Sequence, residues 1–313
     1  MMMTQQTIMQ SNKQHSIVGR FAPSPTGPLH FGSLVAAVGS YLPARKAQGR
    51  WLLRIEDLDP PRVIPGAADA MLMLLEKLGF EWDGQVVYQS QRTERYRQIL
   101  QQLHEQNLVF ACSCSRREIL ASAPHTGEEG PVYPGTCRKG PIGNRPERAI
   151  RLQVPDEVVS YSDGVFGRQS QNLQRAVGDF TLCRADGLFA YQLAVVVDDL
   201  DSGVTQVVRG ADLLSSTPRQ IFLYRCLQQA AIEYCHLPLA LGNNAKKLSK
   251  RHGSFGLITS ENGGRAIWQA LNFLGQNPPA AIKNASPAEL LAWGVVNFCV
   301  DRVPTAARSV PEF

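Results

Sequence analysis

Two short stretches carry residue types that handle phosphate. In the first, His30-Phe31-Gly32-Ser33, a short apolar run gives way to helical spacing. The amino end of a helix offers unpaired N–H groups and a positive pole to an anion. Gly32 there lets a nucleotide approach the backbone, and His30 can donate to a phosphate oxygen. The second is Lys246-Lys247-Leu248-Ser249-Lys250-Arg251-His252-Gly253, with three lysines and an arginine crowded between Asn and Gly. Each alone has a plain reading: a helix cap, and a solvated run of charge. A third group, Cys112, Cys114, Tyr133 and Cys137, gathers three thiols and a phenol. Zinc takes four such ligands in a closed tetrahedron. Cys-x-Cys is less typical than Cys-x-x-Cys and tyrosine is an uncommon ligand, so spacing alone leaves zinc and buried free thiols equally open. Cys183, Cys226, Cys235 and Cys299 are isolated and read as packing residues.

The elements that must position these groups follow from periodicity. Ser16 to Ala22 reads as a buried strand running into a proline-rich turn. From Gly32, Leu34, Val35, Val38, Tyr41 and Leu42 recur at helical spacing, ending before Gln48-Gly49. Trp51 to Ile55 is a second strand, closed by Glu56-Asp57-Leu58-Asp59-Pro60-Pro61. Strand–helix–strand in this order is the parallel crossover of an α/β domain, whose ligands sit beyond the carboxyl ends of its strands. Further helices are expected over 66–78 and 93–106. Residues 112–185, rich in Gly, Pro, Ser and Arg, read as an irregular or β-rich insertion. Gly187 to Asp199 reads as a long buried strand ending in two acids, Thr205 to Arg209 as another, and Asp212 to about Tyr234 as helical. The remainder reads as helices and loops.

The bulk numbers set outer bounds. A chain of 313 residues, 44% hydrophobic and 19% charged, is a globular chain of one large or two ordinary domains. Its net charge of +5 is compatible with a nucleic-acid partner without demanding one. The first sixteen residues lack the apolar core of a secretory signal and read as a polar lead-in. No apolar run of about 18 residues marks a membrane span. Seven cysteines without a signal favour a reducing, cytoplasmic setting.

Taken jointly, His30-x-Gly32 and Lys247-Leu248-Ser249-Lys250 resemble the two signature motifs of the class I aminoacyl-tRNA synthetases, which ideally read His-Ile-Gly-His and Lys-Met-Ser-Lys-Ser. Arg20-Phe-Ala-Pro-Ser-Pro-Thr-Gly27, Arg54-Ile-Glu-Asp57, Tyr88-Gln-Ser-Gln-Arg92, Tyr191 and Arg209-Gly-Ala-Asp-Leu213 are similar to the glutamyl branch of that class. The resemblance implies a Rossmann-like parallel-sheet α/β catalytic domain with an inserted zinc-containing subdomain and a short helical carboxyl-terminal region. It implies ATP, with Mg²⁺, held by His30, Gly32, Ser33 and Lys250, and catalysis by His30, Lys247 and Lys250. It further implies L-glutamate held by Arg20, Ser24, Glu56, Tyr191 and Arg209. Two arginines suit an acidic side chain, because the guanidinium fork matches a carboxylate. Glu56 suits the ammonium group. The family's structural zinc would sit on Cys112, Cys114, Tyr133 and Cys137, with His125 as an alternative fourth ligand.

Two departures stand out. Ser33 replaces the second histidine and Arg251 the final serine of the ideal motifs. Only about 60 residues follow Arg251, too few for an anticodon-binding domain. This resembles the stand-alone glutamyl-queuosine tRNA(Asp) synthetase family. It implies glutamate transfer to the queuosine base at the wobble position of tRNA(Asp), with the anticodon stem-loop in the cleft, by a monomer. The alternatives are a minimal synthetase charging the 3′ end of a tRNA and a non-catalytic adenylate- or RNA-binding relative. The expected division is 1–15 lead-in, 16–111 and 186–251 the two halves of the catalytic domain, 112–185 the insertion and 252–313 the helical end.

Overall fold

The protein is described by a computed structural model covering residues 16–127, 130–143, 145–241 and 258–310. Strand β1 (Val18–Phe21) is buried throughout. After the proline-rich turn, α1 (Phe31–Lys46) lies on the sheet and returns the chain through β2 (Arg50–Ile55). β2 pairs parallel with β1, Val18 opposite Arg50 and Phe21 opposite Leu53. Helix α2 (Ala67–Lys77) leads to β3 (Val87–Tyr88), parallel to β2. Then come α3 (Thr93–Glu105) and β4 (Val109–Cys112).

The next segment is built of short pieces: α4 (Arg116–Ser122), β5 (Thr126–Gly127), β6 (Gly130–Pro131), β7 (Ala149–Leu152), β8 (Val158–Asp163), β9 (Gly167–Asn172), α5 (Leu173–Ala176) and β10 (Phe180–Cys183). β7 lies between β4 and β10, antiparallel to both. β8 and β9 form a hairpin, and Asp163 of β8 pairs with Tyr234.

Parallel order resumes with α6 (Tyr191–Asp201), β11 (Gln206–Gly210), α7 (Thr217–Cys226) and β12 (Glu233–Leu237), then β13 (Ala240–Leu241). β11 and β12 pair parallel in register, Arg209 opposite His236. Thr205 stitches β11 to β1: its amide donates to the Val18 carbonyl (3.0 Å), and its hydroxyl accepts from the Val18 amide (2.9 Å). The strand order is therefore β3-β2-β1 followed by β11-β12-β8-β9. The direction of winding reverses between β1 and β11. Such a switch point opens a crevice at the carboxyl ends of the strands. Helices α8 (Gly263–Phe273) and α9 (Pro287–Asn297) close one face, and β14 (Arg308–Ser309) pairs with β13.

Apolar cores fill both faces. One gathers Leu34 and Leu42 of α1, Trp51, Leu75 of α2, Leu271 of α8 and Leu290 of α9. The other gathers Tyr96 and Leu103 of α3, Leu193 and Val196 of α6, Leu223 of α7 and Leu152. A Cβ at Gly39 would fall 2.4 Å from a Leu237 methyl, so any side chain there would have to displace Leu237 where α1 meets β12. Among the described residues no helix is long and apolar enough to cross a membrane.

Two sequence expectations are corrected. The apolar run at 187–199 is not a strand: it is α6, with Tyr191 as its first residue. Gln192 to Asp199 are all buried, so no polar stripe betrays the helical period. Helix does not extend from Asp212 to Tyr234 either. α7 ends at Cys226, just before Gln228 takes a left-handed φ of 56°, and Tyr234 lies in β12.

Candidate active site

A cleft of about 300 Å³ opens where β1, α1 and β11 meet. Arg20, Ser24 and Glu56 line it from the carboxyl ends of β1 and β2. His30, Gly32 and Ser33 line it from the start of α1, and Tyr191 and Arg209 from α6 and β11. Every described residue expected to meet ATP or glutamate thus borders one cavity. Thr26, Arg62 and Asp212 line it too, though the sequence did not single them out as ligands. Lys246, Lys247, Ser249, Lys250 and Arg251 lie outside the described residues.

His30 meets the plain reading of its position, a helix cap, while also lining the cleft. It is the N-cap of α1, its Nδ1 accepting from the Ser33 amide at 3.2 Å. A neutral ring then carries its proton on Nε2, 3.1 Å from Ser33 Oγ. Ser33, the departure from the ideal motif, thus meets both ring nitrogens, Nδ1 through its amide and Nε2 through its hydroxyl. Gly32 is tightly placed: a Cβ there would lie 3.2 Å from both Cε1 and Nδ1 of His30. A methyl there must shift the ring by a few tenths of an ångström. The Gly32→Ala variant is therefore expected to raise the KM for ATP by roughly threefold to tenfold with little change in melting temperature. Unaltered ATP kinetics would show that the ring position is immaterial.

The cationic lining is anchored in two different ways. Arg20 is 3% exposed and donates through Nε to both oxygens of Asp199, at 3.2 and 3.4 Å. Arg54 bridges Asp199 Oδ1 (2.6 Å) and Glu56 Oε1 (3.3 Å). Burial raises the Asp199 carboxyl, but the two guanidinium groups outweigh it and hold the group below its ordinary range. Burial likewise raises Glu56, opposed by Arg54 and Arg20, and here burial prevails. A substrate ammonium beside Glu56 would favour its ionised form. Arg209, 5% exposed, has neutral partners instead: its Nη2 donates to Thr217 Oγ1 (2.8 Å) and the Leu213 carbonyl (3.3 Å), its Nη1 to Tyr191 Oη (3.3 Å), and its Nε to His236 Nε2 (3.1 Å).

Asp198 and Asp199, read from sequence as two acids ending a strand, are instead hubs in the last turn of α6. Asp198 is fully buried and accepts from Gln89 (2.8 Å), Arg92 (2.9 Å) and Tyr96 (2.7 Å). Asp57 ties the loop after β2 to Ser90, accepting from its amide and hydroxyl (2.8 and 2.7 Å). Asp163, His236 and Thr217 were not singled out. For His236 the signal was a polar residue in an apolar run, which the missed strand β12 hid; Asp163 and Thr217 lie in polar stretches that gave none.

Cys112, Cys114 and Cys137 are buried, and their sulfurs lie within 4.8 Å of one another. The Tyr133 hydroxyl is 3.4 Å from Cys112 Sγ and 3.9 Å from Cys114 Sγ, and Cys114 Sγ is 3.5 Å from Cys137 Sγ. Bonds of about 2.3 Å to zinc put tetrahedral sulfurs roughly 3.8 Å apart, so this donor set fits that ion. Arg151 stacks over the Tyr133 ring at 4.0 Å. His125 is not part of the cluster.

A doubly wound parallel sheet with a helix start and buried arginines at its switch point is the catalytic domain of a class I synthetase. The profile of the family described as tRNA synthetases class I (E and Q), catalytic domain, matches residues 16–266. Within that class the chain belongs to the glutamyl-Q tRNA(Asp) synthetase family. The protein of that name from Geobacter sulfurreducens is 53% identical over 304 residues, spanning 95% of this chain and 96% of its own length. That from Dechloromonas aromatica is 52% identical over 287 residues, 91% of this chain and 95% of its own. A solved structure of a glutamate tRNA ligase from Elizabethkingia meningosepticum, in complex with its amino acid, matches with a TM-score of 0.77. It is 25% identical and is covered over 95% of this chain and 67% of the ligase.

Proposed function

We propose that the protein activates L-glutamate with ATP and transfers the glutamyl group to the queuosine base at the wobble position of tRNA(Asp). The observation that carries this reading is the convergence of Arg20 and Arg209 on the cleft that His30 and the start of α1 also line. An oxygen of the glutamate α-carboxylate attacks the α-phosphorus of ATP. The bond to the bridging oxygen breaks, and pyrophosphate leaves. A hydroxyl of the queuosine cyclopentenediol then attacks the acyl carbonyl, and AMP departs. No side-chain nucleophile is needed; catalysis is positioning and stabilisation of developing phosphate charge. In this reading His30 stands beside the phosphates, Lys247 and Lys250 supply positive charge, and Mg²⁺ accompanies ATP. Arg20 and Arg209 select the acidic amino acid, Glu56 meets its ammonium, and Ser24 and Tyr191 orient it. The name that these relatives carry supports the acceptor, tRNA(Asp).

The test is incubation with ATP, labelled glutamate and tRNA. Glutamate-dependent pyrophosphate exchange is expected without tRNA. Label is expected on queuosine-containing tRNA(Asp), retained when the 3′-terminal adenosine is removed, and absent on tRNA lacking queuosine. Label that depends on the 3′ end would assign 3′ charging instead. No exchange above background would leave a binding protein.

The same proposal includes one structural zinc on Cys112, Cys114, Tyr133 and Cys137, pinning a region built of short elements. Metal analysis of the purified protein is expected to give one zinc per chain, lost in Cys137→Ser. Less than about a tenth of an equivalent in the wild type would overturn the assignment.

A further inference from the structure

Behind Arg209 runs a buried chain of side chains from three adjacent strands. Asp163 ends β8 and is 5% exposed; His236 on β12 is fully buried. Asp163 Oδ2 is 2.6 Å from His236 Nδ1. Asp163 Oδ1 accepts from the amides of Val165 (3.0 Å), Phe166 (2.9 Å) and His236 (3.2 Å). A carboxylate has no proton to give, so Nδ1 carries the hydrogen and donates. In a neutral ring Nε2 is then bare, and it accepts from Arg209 Nε at 3.1 Å. Thr217 Oγ1 stands 3.2 Å from the same nitrogen.

This arrangement differs in kind from the one behind Arg20. There, the charges of Arg20 and Arg54 are matched by Asp199 and Glu56. Arg209 is fixed by acceptors without charge, and the carboxylate of the pair stands one imidazole away. Its orientation is set while its charge stays available to the cleft. We propose that the Asp163–His236 pair is the positioning device of Arg209: it locks the imidazole tautomer that presents a bare nitrogen, and so sustains the preference for a side-chain carboxylate over an amide. The proposal rests on the reading that Arg209 meets the glutamate side chain.

The tautomer makes a sharp prediction for Asp163→Asn. Three backbone donors hold the amide oxygen in the Oδ1 position, so the NH₂ faces His236 Nδ1. The ring must then accept there and carry its proton on Nε2, pointing it at Arg209. Changing an orienting carboxylate to its amide inverts a histidine tautomer by the same logic in a catalytic triad. Protonation acts similarly. The groups facing His236 are Asp163 from β8, Arg209 from β11, Thr217 from α7 and, at longer range, Arg20 from β1. Tyr234 on its own strand stacks on the ring at 6.2 Å between centroids. Burial, reinforced by Arg209 and Arg20 and opposed by Asp163, lowers the ring below the ordinary histidine range. The neutral form therefore prevails at neutral pH.

The experiment has two arms. In wild-type protein, ¹⁵N NMR of the imidazoles, with His236 assigned by its loss in His236→Gln, is expected to show protonated Nδ1 and bare Nε2 at neutral pH. An Nε2–H tautomer or an imidazolium would overturn the proposal. In pyrophosphate exchange, Asp163→Asn and His236→Leu are expected to raise the KM for glutamate roughly tenfold to thirtyfold, a loss of one orienting hydrogen bond to a charged group. The KM for ATP should stay within twofold, and discrimination against glutamine should narrow. His236→Gln, which keeps an oxygen for Arg209, is expected to recover most of the loss. In an Arg209→Gln background neither substitution should add; full additivity would make the pair a general structural element and sink the proposal. Should Asp163→Asn or His236→Leu fail to fold, the wild-type tautomer and His236→Gln decide. If Arg209→Gln alone leaves glutamate kinetics unchanged, the glutamate reading fails while the tautomer result stands.

Discussion

Replacing Arg209 by glutamine is expected to lower kcat/KM for glutamate in pyrophosphate exchange by about a hundredfold to a thousandfold, leaving the KM for ATP within twofold. The expected loss is one of charge. Around the inner end of the cleft, Arg20 and Arg54 face Asp199 and Glu56, and Arg54 also approaches Asp198 at 3.9 Å, so both charges are met by carboxylates. Arg209 stands outside that balance, its partners being a threonine, a tyrosine, a carbonyl and a bare imidazole nitrogen. A glutamate side chain entering this site must surrender its water, and Arg209, a buried cation without a carboxylate partner among the described residues, can compensate it; Arg62, which also lines the cleft, is exposed. Glutamine at 209 keeps an amide to hydrogen-bond with the same neutral neighbours, so the fold should survive while the charge is lost. Steady-state exchange kinetics with ATP and glutamate varied in turn separate the two effects. A loss below about fivefold would mean that the side-chain carboxylate is met elsewhere, and a parallel rise in the KM for ATP would mean that the cleft had deformed.

How far this site was legible in the sequence depends on the range of the interactions. The turn after β1 and the start of α1 could be read directly, because cap, glycine and helical period are local signals. His30 and Gly32 fall where that reading set them. The crossover β1–α1–β2 was equally plain. What could not be read was the partner of each charge. Arg20 and Asp199 are 179 residues apart in sequence, and Arg54 and Asp199 are 145 apart. Only the sheet order brings them together. The misreading of α6 as a strand has the same origin. A helix buried on all sides hides its period, and with it the fact that Asp198, Asp199 and Asp201 fan out from a single turn toward three different elements. The loss of β12 inside an overlong helix concealed His236 in the same way. Three thiols and a phenol were visible as a group, but their closure around one point is a property of the folded insertion.

That same last turn of α6 carries the largest expected effect on stability. Carboxylates at the carboxyl end of a helix oppose its dipole, so Asp198, Asp199 and Asp201 need the arginines that meet them. The Asp199→Asn substitution leaves Arg20 and Arg54, each 3% exposed, without their shared counter-ion. Breaking a buried pair on one side costs about 3–5 kcal/mol, because the remaining charge cannot return to water. Asp201→Asn makes the contrast: its partners Arg92 and Arg95 are partly solvated, and the change should cost under about 1 kcal/mol. Denaturant titrations of both variants test the difference. The dependence on pH carries a sign. Asp199 is held below the ordinary carboxylate range in the folded chain, so its contribution is complete above the unfolded value of about 4 and fades as pH falls through the folded one. Wild-type stability should therefore drop more steeply in acid than that of Asp199→Asn, which has no proton to take up there. The glutamate KM of the variant should rise as well, since Arg20 loses the anchor that aims it into the cleft. Equal costs for the two substitutions, or parallel acid profiles for wild type and Asp199→Asn, would show that Asp199 is not the counter-ion on which both arginines depend.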